Sequence, residues 1–269
     1  MAAEYIDLQW WQVALAASLV VLSGAISLAM RLGLERRLAL ATARTIVQLL
    51  LLGLVLRWIF TATGWTYFAA IVALLLVMTI VAGVAAVRRT ERRYDGLLLD
   101  SIIAIWVSAW IVGAVAVFGV VQVGPAMYAQ YAVPLVGMIL HNTLTGISLG
   151  MDRLGSELTA QRDQVETLLA LGATRWEAAR EPIRQAVRTG MIPTINTMMV
   201  VGVVSIPGMM TGQLLAGVDP VQAAMYQMVI MFFIAAGTSL GTMAVALLGY
   251  RRLFTADHQF LPGRLVKKG

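Results

Sequence analysis

The stretch TYFAAIVALLLVMTIVAGVAAV (66–87), followed at once by RRTERR (88–93), decides the fold. Its apolar part is uncharged from end to end. A helix needs about 20 mostly apolar residues to cross a hydrocarbon core about 30 Å thick, so this run predicts a membrane-spanning helix with its basic end at the headgroups. Outward from it, the same pattern recurs until seven runs are found, at roughly Trp10–Met30, Leu38–Phe60, Thr66–Val87, Leu97–Val121, Ala132–Gly150, Ile183–Ile206 and Val221–Tyr250. The composition agrees: 59% of the 269 residues are hydrophobic and 13% are charged, where a soluble domain carries about 25% charged residues. The fold class expected is therefore an all-α polytopic membrane protein with about seven transmembrane helices.

A formal net charge of +6 raises the question of nucleic acid, but the placement of the charge points to lipid headgroups. Arg31, Arg36 and Arg37 follow the first run, Arg88, Arg89, Arg92 and Arg93 the third, and Arg153 and Arg162 the fifth. Arg251, Arg252, Arg264, Lys267 and Lys268 follow the last. The connections at Thr61–Trp65, Gln122–Gln130 and Gly212–Pro220 hold no Lys or Arg. By the positive-inside rule the N-terminus is expected outside, with the large 151–182 segment and the C-terminus in the cytoplasm of a cell whose inner (plasma) membrane holds the chain. Met1–Asp7 is acidic, without Lys or Arg, and the run after it is long enough to span, so it reads as a first helix and not a cleaved signal. There is no cysteine, hence no disulfide and no thiolate metal site. The organisation expected is transmembrane helices over 1–150, a cytoplasmic loop over 151–182, two further spans over 183–254 and a cytoplasmic tail over 255–269.

The loop is the most informative stretch. Val165, Leu168, Leu169 and Leu171 form an apolar stripe at helical spacing. In LALGATRWEAAREPIRQAV (169–187), Gly172 suits the C-terminal cap of one helix. Thr174 with Glu177 makes a capping box that opens the next. Pro182 is expected to end or kink that helix, after which Ile183 re-enters the bilayer. Pro207-Gly208 is expected to break the sixth run, either as a helix end near the outer surface or as a re-entrant element lining a pathway.

An acidic residue, a stretch ending in Leu-Gly-Ala, a polar turn and a short helix leading to the membrane resemble the EAA loop of ABC permeases. That loop docks in a groove on the ATPase subunit. Glu166 matches the motif's Glu and Gly172 its Gly, while Thr167-Leu168 departs from its Ala-Ala. The resemblance implies an ATPase-coupling role for Glu166, Leu169, Gly172, Ala173, Thr174, Trp176 and Glu177. Arg44-Thr45, Gln48-Leu49-Leu50 and Gly53, then Met138-Ile139, Asn142-Thr143 and Gly146, then Pro207-Gly208-Met209-Met210-Thr211-Gly212-Gln213 with Gly217, Pro220 and Tyr226-Gln227, are similar to FetB-type permeases over roughly Arg31 to Phe254. That family includes bacterial iron exporters and plant relatives tied to aluminium tolerance. It implies export of iron, a related metal or a metal-linked solute. It also implies a separate cytoplasmic ABC ATPase that holds ATP–Mg, with no cofactor on this chain.

Polar side chains inside spans are costly and mark candidate pathways. Arg44, Gln48, His141, Asn142, Asn196, Met209, Met210 and Gln213 are the candidates here. Four of them have a second reading: Arg44 snorkels to the headgroups or pairs with Asp100, His141 is a packing residue, and the two asparagines are interhelical glue. Methionine, at 15 residues, reads for the most part as a flexible filler of irregular packing rather than a soft-metal ligand, with Met209 and Met210, beside the helix break, the exception. No spacing of His or carboxylates suggests a tight metal cage, so the metal ligands are unknown. Gly146-x-x-x-Gly150 and Gly237-x-x-x-Gly241 permit close helix approach and fit a homodimer. No G-x-x-x-x-G-K-[ST] loop occurs, so the chain reads as a non-enzymatic subunit. An ion-gradient-driven secondary transporter and a membrane scaffold or sensor are the alternatives.

Overall fold

With no water in the hydrocarbon core, every backbone N–H and C=O must find a partner within its own segment, which long apolar runs achieve as helices. A computed structural model describes residues 8–267 of the chain. It contains α1 (Trp10–Ala29), α2 (Glu35–Thr61), α3 (Gly64–Arg89), α4 (Leu97–Ala114), α5 (Tyr128–Ala160), α6 (Arg162–Ala170), α7 (Arg175–Val200), α8 (Gly208–Leu215) and α9 (Pro220–Leu253). A π-helical turn at Val115–Val120 extends α4. Among the described residues six helices are long and apolar enough to cross a membrane: α1, α2, α3, α4 with its extension, α5 and α9. The acidic Met1–Asp7 segment and Lys268 lie outside the described residues.

The seventh expected span, Ile183–Ile206, is absent from those six. It is the greater part of α7, which starts earlier, at Arg175, and stops at Val200. Arg184 and Arg188 lower its apolarity. Pro182 does not end this helix, and Pro193 also lies inside it. A proline forfeits one backbone hydrogen bond, but Ala178, Ala179, Pro182, Ile183 and Ala186 are all buried, and that packing offsets the loss. The break falls earlier than expected as well. Val201–Ser205 forms a tight turn in which Gly202 N donates to Ser205 O at 2.9 Å. Pro207 then accepts the first bond of α8, from Thr211 N at 3.0 Å.

The chain divides into two compact units, one running to Ala70 and including Leu215–Gly217, the other comprising the remainder. In the first, Ser27 Oγ accepts from Leu34 N at 3.0 Å and donates to Glu35 Oε2 at 3.2 Å, closing the α1–α2 turn. An apolar groove of about 590 Å³ between α1 and α2 is lined by small residues that include Ala17, Gly24, Ala25, Ala39 and Ala43.

In the second unit α5, α7 and α9 form the core. Ile139 lies against Gly237, Thr143 against Gly241 and Met151 against Gly249, so α5 and α9 run parallel. Gly190 meets Gly146, and Ala186 meets Gly150, so α7 runs antiparallel to α5. A Cβ at Gly190 would stand 2.6 Å from the Gly146 carbonyl oxygen, closer than real Cβ atoms approach. Glycine is thus a condition of this crossing. Both small-residue pairs noted in the sequence are used here, inside one chain, and so give no support to a dimer. Helix α4 opposes α9, with Ser108 near Gly241 and Asp100 bonded to Arg252. Trp110 Nε1 donates to Thr79 Oγ1 at 3.3 Å, joining α4 to α3.

At the basic end, Asp152 Oδ1 accepts from the backbone N–H groups of Glu91 and Arg92 at 2.6 and 3.3 Å. Strand β1 (Arg92–Arg93) pairs antiparallel with β2 (Val266–Lys267), Arg92 opposite Lys267. Residues 255–267 of the segment expected to be a cytoplasmic tail are therefore built into the fold. The 151–182 loop is also less separate than expected, because α5 continues unbroken to Ala160 and buries Met151, Leu154, Gly155 and Leu158.

Candidate functional site

The turn between α6 and α7 takes the form its residues dictate. Leu171 N, Gly172 N and Ala173 N donate to the carbonyls of Thr167, Leu169 and Leu168, each at 3.0 Å, which caps α6. Gly172 stands at φ +90°, where a side chain is strained, and nothing lies within 4 Å of where a Cβ would be. Thr174 then caps α7 as expected: Glu177 N donates to its Oγ1 at 3.3 Å, and Thr174 N donates to Glu177 Oε2 at 2.7 Å. The bonds its carboxylate accepts, from the Thr174 backbone N–H first and from the Thr174 hydroxyl at 2.8 Å second, hold the Glu177 carboxyl below its ordinary range.

The expected apolar stripe is divided. Val165 is buried and anchors α6, Leu168 and Leu169 are half-buried, and Leu171 is 80% exposed at the tip. Glu166 is exposed and ion-paired within its own helix to Arg162 at 2.7 Å. Ala173 is half-buried beside the exposed Thr174. Trp176 does not point freely outward but meets Tyr250 edge to face at 5.7 Å. The turn therefore presents an apolar tip and an open glycine on a base made rigid by two caps, a shape suited to insertion into a groove.

The candidate pathway residues fall in both units, Arg44 and Gln48 in the first and the other six in the second. Arg44 and Gln48 are exposed, one turn apart on α2. In the second unit His141 on α5 and Asn196 on α7 are exposed, and Asn142 donates to the Met138 carbonyl of its own helix at 2.9 Å. Met209, Met210 and Gln213 are half-buried on α8, and Gln213 Oε1 has no partner. Within the second unit no hydrogen bond joins any two of its six candidates among the described residues. Nor do three His, Asp or Glu side chains cluster anywhere among them.

Asp100 is not available to Arg44. It is 2% exposed and takes a bidentate bond from Arg252, Nε to Oδ2 at 2.6 Å and Nη2 to Oδ1 at 2.9 Å. Tyr94 Oη donates to the same Oδ2 at 2.9 Å. Burial and the adjacent carboxylate push the Tyr94 phenol far above its usual range. This trio welds the start of α4 to the end of α9. A second feature without a sequence signal is the row of buried hydroxyls without partners, Thr143 on α5 and Thr238 and Thr242 on α9.

Comparison with known proteins gives the family. Residues 10–254 match the family described as Uncharacterised protein family (UPF0014). The chain belongs to the UPF0014 family. A UPF0014 membrane protein of Synechocystis sp. is 37% identical over 260 residues, 96% of each chain. The probable iron export permease protein FetB of Escherichia coli is 34% identical, over 95% of this chain and 96% of its own. The protein ALUMINUM SENSITIVE 3 of Arabidopsis thaliana is 28% identical, over 91% of this chain and 88% of its own. The resemblance drawn from Pro207–Gln213 and the other motifs thus reaches the relatives it named. No solved structure matches the chain.

Proposed function

We propose that this UPF0014 protein is the membrane-spanning permease subunit of an ABC transporter in the inner (plasma) membrane, coupled through the α6–α7 turn to a separate ATPase that holds ATP–Mg. The observation that carries the proposal is the doubly capped turn at Gly172, exposed and apolar at its tip, leading directly into α7 at the centre of the helical core. Glu166, Leu169, Gly172, Ala173 and Thr174 form the docking tip, with Trp176 and Glu177 holding its base. The substrate is iron or a related metal or metal-linked solute moved outward, a reading supported by the printed name of the Escherichia coli relative. Two copies of the chain form the transporter.

Seven crossings, with the N-terminus outside and the C-terminus in the cytoplasm, are part of the proposal. Helices α5 and α9 run parallel; Arg251 and Arg252 stand in the last turn of α9, and Arg162 follows the end of α5. A return crossing between them fits this arrangement, and the antiparallel run of α7 supports it. Its 26 residues extend about 39 Å at helical rise. A secondary transporter would need a free carboxylate at mid-membrane, and the pairing of Asp100 with Arg252 argues against it. The test is purification of the tagged chain in mild detergent with its ATPase partner. Gly172→Asp is expected to insert normally and to lose the ATPase. Retention of the partner with undiminished transport-coupled hydrolysis would defeat the assignment.

A further inference from the structure

Arg175 opens α7, directly after the Thr174 cap, and its three contacts beyond its own helix all fall on one short stretch of chain. Its backbone N–H, one of the donors a helix start leaves unpaired, bonds to His258 Nδ1 at 3.0 Å. Its Nη1 donates to the Thr255 carbonyl at 3.0 Å. The guanidinium lies 5.7 Å from the centre of the Tyr250 ring, within cation–π range. Tyr250 belongs to the last turn of α9, and a ladder of rings runs from it through Phe254 to Phe260 with centroid spacings of 5.5 and 5.1 Å.

The stretch that receives Arg175 is itself held closed. Thr255 N donates to the Gln259 carbonyl and Leu261 N to the Leu253 carbonyl, each at 2.9 Å. Arg264 Nη1 donates to the Arg252 carbonyl at 2.9 Å. Leu265 comes to rest near Gly155, and β2 pairs with β1. Segment 254–267 is thus a clasp linking the ends of α9 and α5, the α3–α4 connection and the start of α7.

We infer that Arg175 is the positioning residue that passes displacement of the α6–α7 turn straight to the cytoplasmic end of α9, with segment 254–267 as the clasp that keeps the joint closed. This rests on the coupling reading of the turn. Displacement of residues 171–174 must carry Arg175 with it, because the Thr174–Glu177 box makes the cap and the first turn of α7 one body. From Arg175 the movement enters Tyr250 and Thr255, and Arg252 hands it to Asp100 on α4. Bending along α7 is not required.

The test is hydrogen exchange on the intact permease–ATPase complex with and without MgATP, in the wild type, Arg175→Ala and Arg175→Lys. Neither variant touches Gly172 or the Thr174–Glu177 box, so the ATPase stays bound in both. In the wild type MgATP changes exchange at residues 171–174 and at 249–261. In Arg175→Ala the change at 171–174 persists, while that at 249–261 falls about tenfold. Arg175→Lys, which keeps the charge but not the planar stack, lies between. An ATP response at 249–261 that survives in Arg175→Ala, or that is missing in the wild type, overturns the relay while leaving the coupling reading intact. Loss of the ATPase from Arg175→Ala alone would make Arg175 a docking residue and also overturn it. A wild-type chain that binds no ATPase overturns the coupling reading and the relay together.

Discussion

Removing Arg252 should damage the protein more than removing the charge of its partner. The Asp100 side chain is 3% exposed, whereas that of Arg252 is 39% exposed. Arg252→Ala therefore strands a carboxylate in the protein with only the Tyr94 hydroxyl to bond it. Breaking a buried pair in this way costs about 3–5 kcal/mol. At about 2–4 °C per kcal/mol for a chain of this size, the melting temperature should fall by about 6–20 °C. Asp100→Asn leaves a neutral amide that still accepts from Tyr94, and frees an arginine that can turn toward water. Its cost is the difference between charged and neutral hydrogen bonds, about 1–2 kcal/mol. The double variant Asp100→Asn/Arg252→Ala has no stranded charge and should be more stable than Arg252→Ala alone. Thermal unfolding followed by size-exclusion chromatography of a fluorescent fusion in detergent resolves these differences. If Arg252→Ala proved no worse than Asp100→Asn, or the double variant showed no recovery, the trio would not be a buried ion pair and the reasoning would fail.

Three further outcomes are expected. Thr242→Val removes a buried hydroxyl that has no partner and should stabilise the protein by about 1 kcal/mol, read as a rise in melting temperature. The Glu177 carboxyl is held below its ordinary 4.5, so its contribution to the capped turn is complete above that value and is lost as pH falls through the depressed one. Limited proteolysis at the Gly172 turn with an acid-active protease should stay flat down to about pH 4.5 and rise below it in the wild type, with the rise absent in Glu177→Gln. Gly190→Ala should cost about 1–3 kcal/mol by forcing α7 from α5, whereas Gly53→Ala, with nothing within 4 Å of the new methyl, should be neutral; the same melting assay separates them.

The two caps of the α6–α7 turn were legible in advance because they are local: Gly172 and Thr174–Glu177 act on backbone groups within three residues of themselves. Six of the expected spans were legible for a similar reason, since hydrocarbon demands helix of any long apolar run wherever it sits. Pro182 did not end its helix, because the burial that surrounds it outweighs one lost hydrogen bond. The Arg175–Tyr250–His258 joint gave no signal, because its members stand 75 and 83 positions apart in the chain and only the return of segment 254–267 brings them together.

By itself, then, the sequence determined that this is a helical membrane protein, that its basic residues gather at alternate connections, where the α6–α7 turn is capped, and to which family it belongs. Those properties depend on solvent transfer and on neighbours in the chain. Tertiary structure alone decided that α7 persists through two prolines, that the glycine pairs serve one chain's own core, that Asp100 answers Arg252 and not Arg44, and that the tail is a clasp. Each of these depends on contacts between residues distant in sequence, where packing and desolvation outweigh the local preferences a sequence displays.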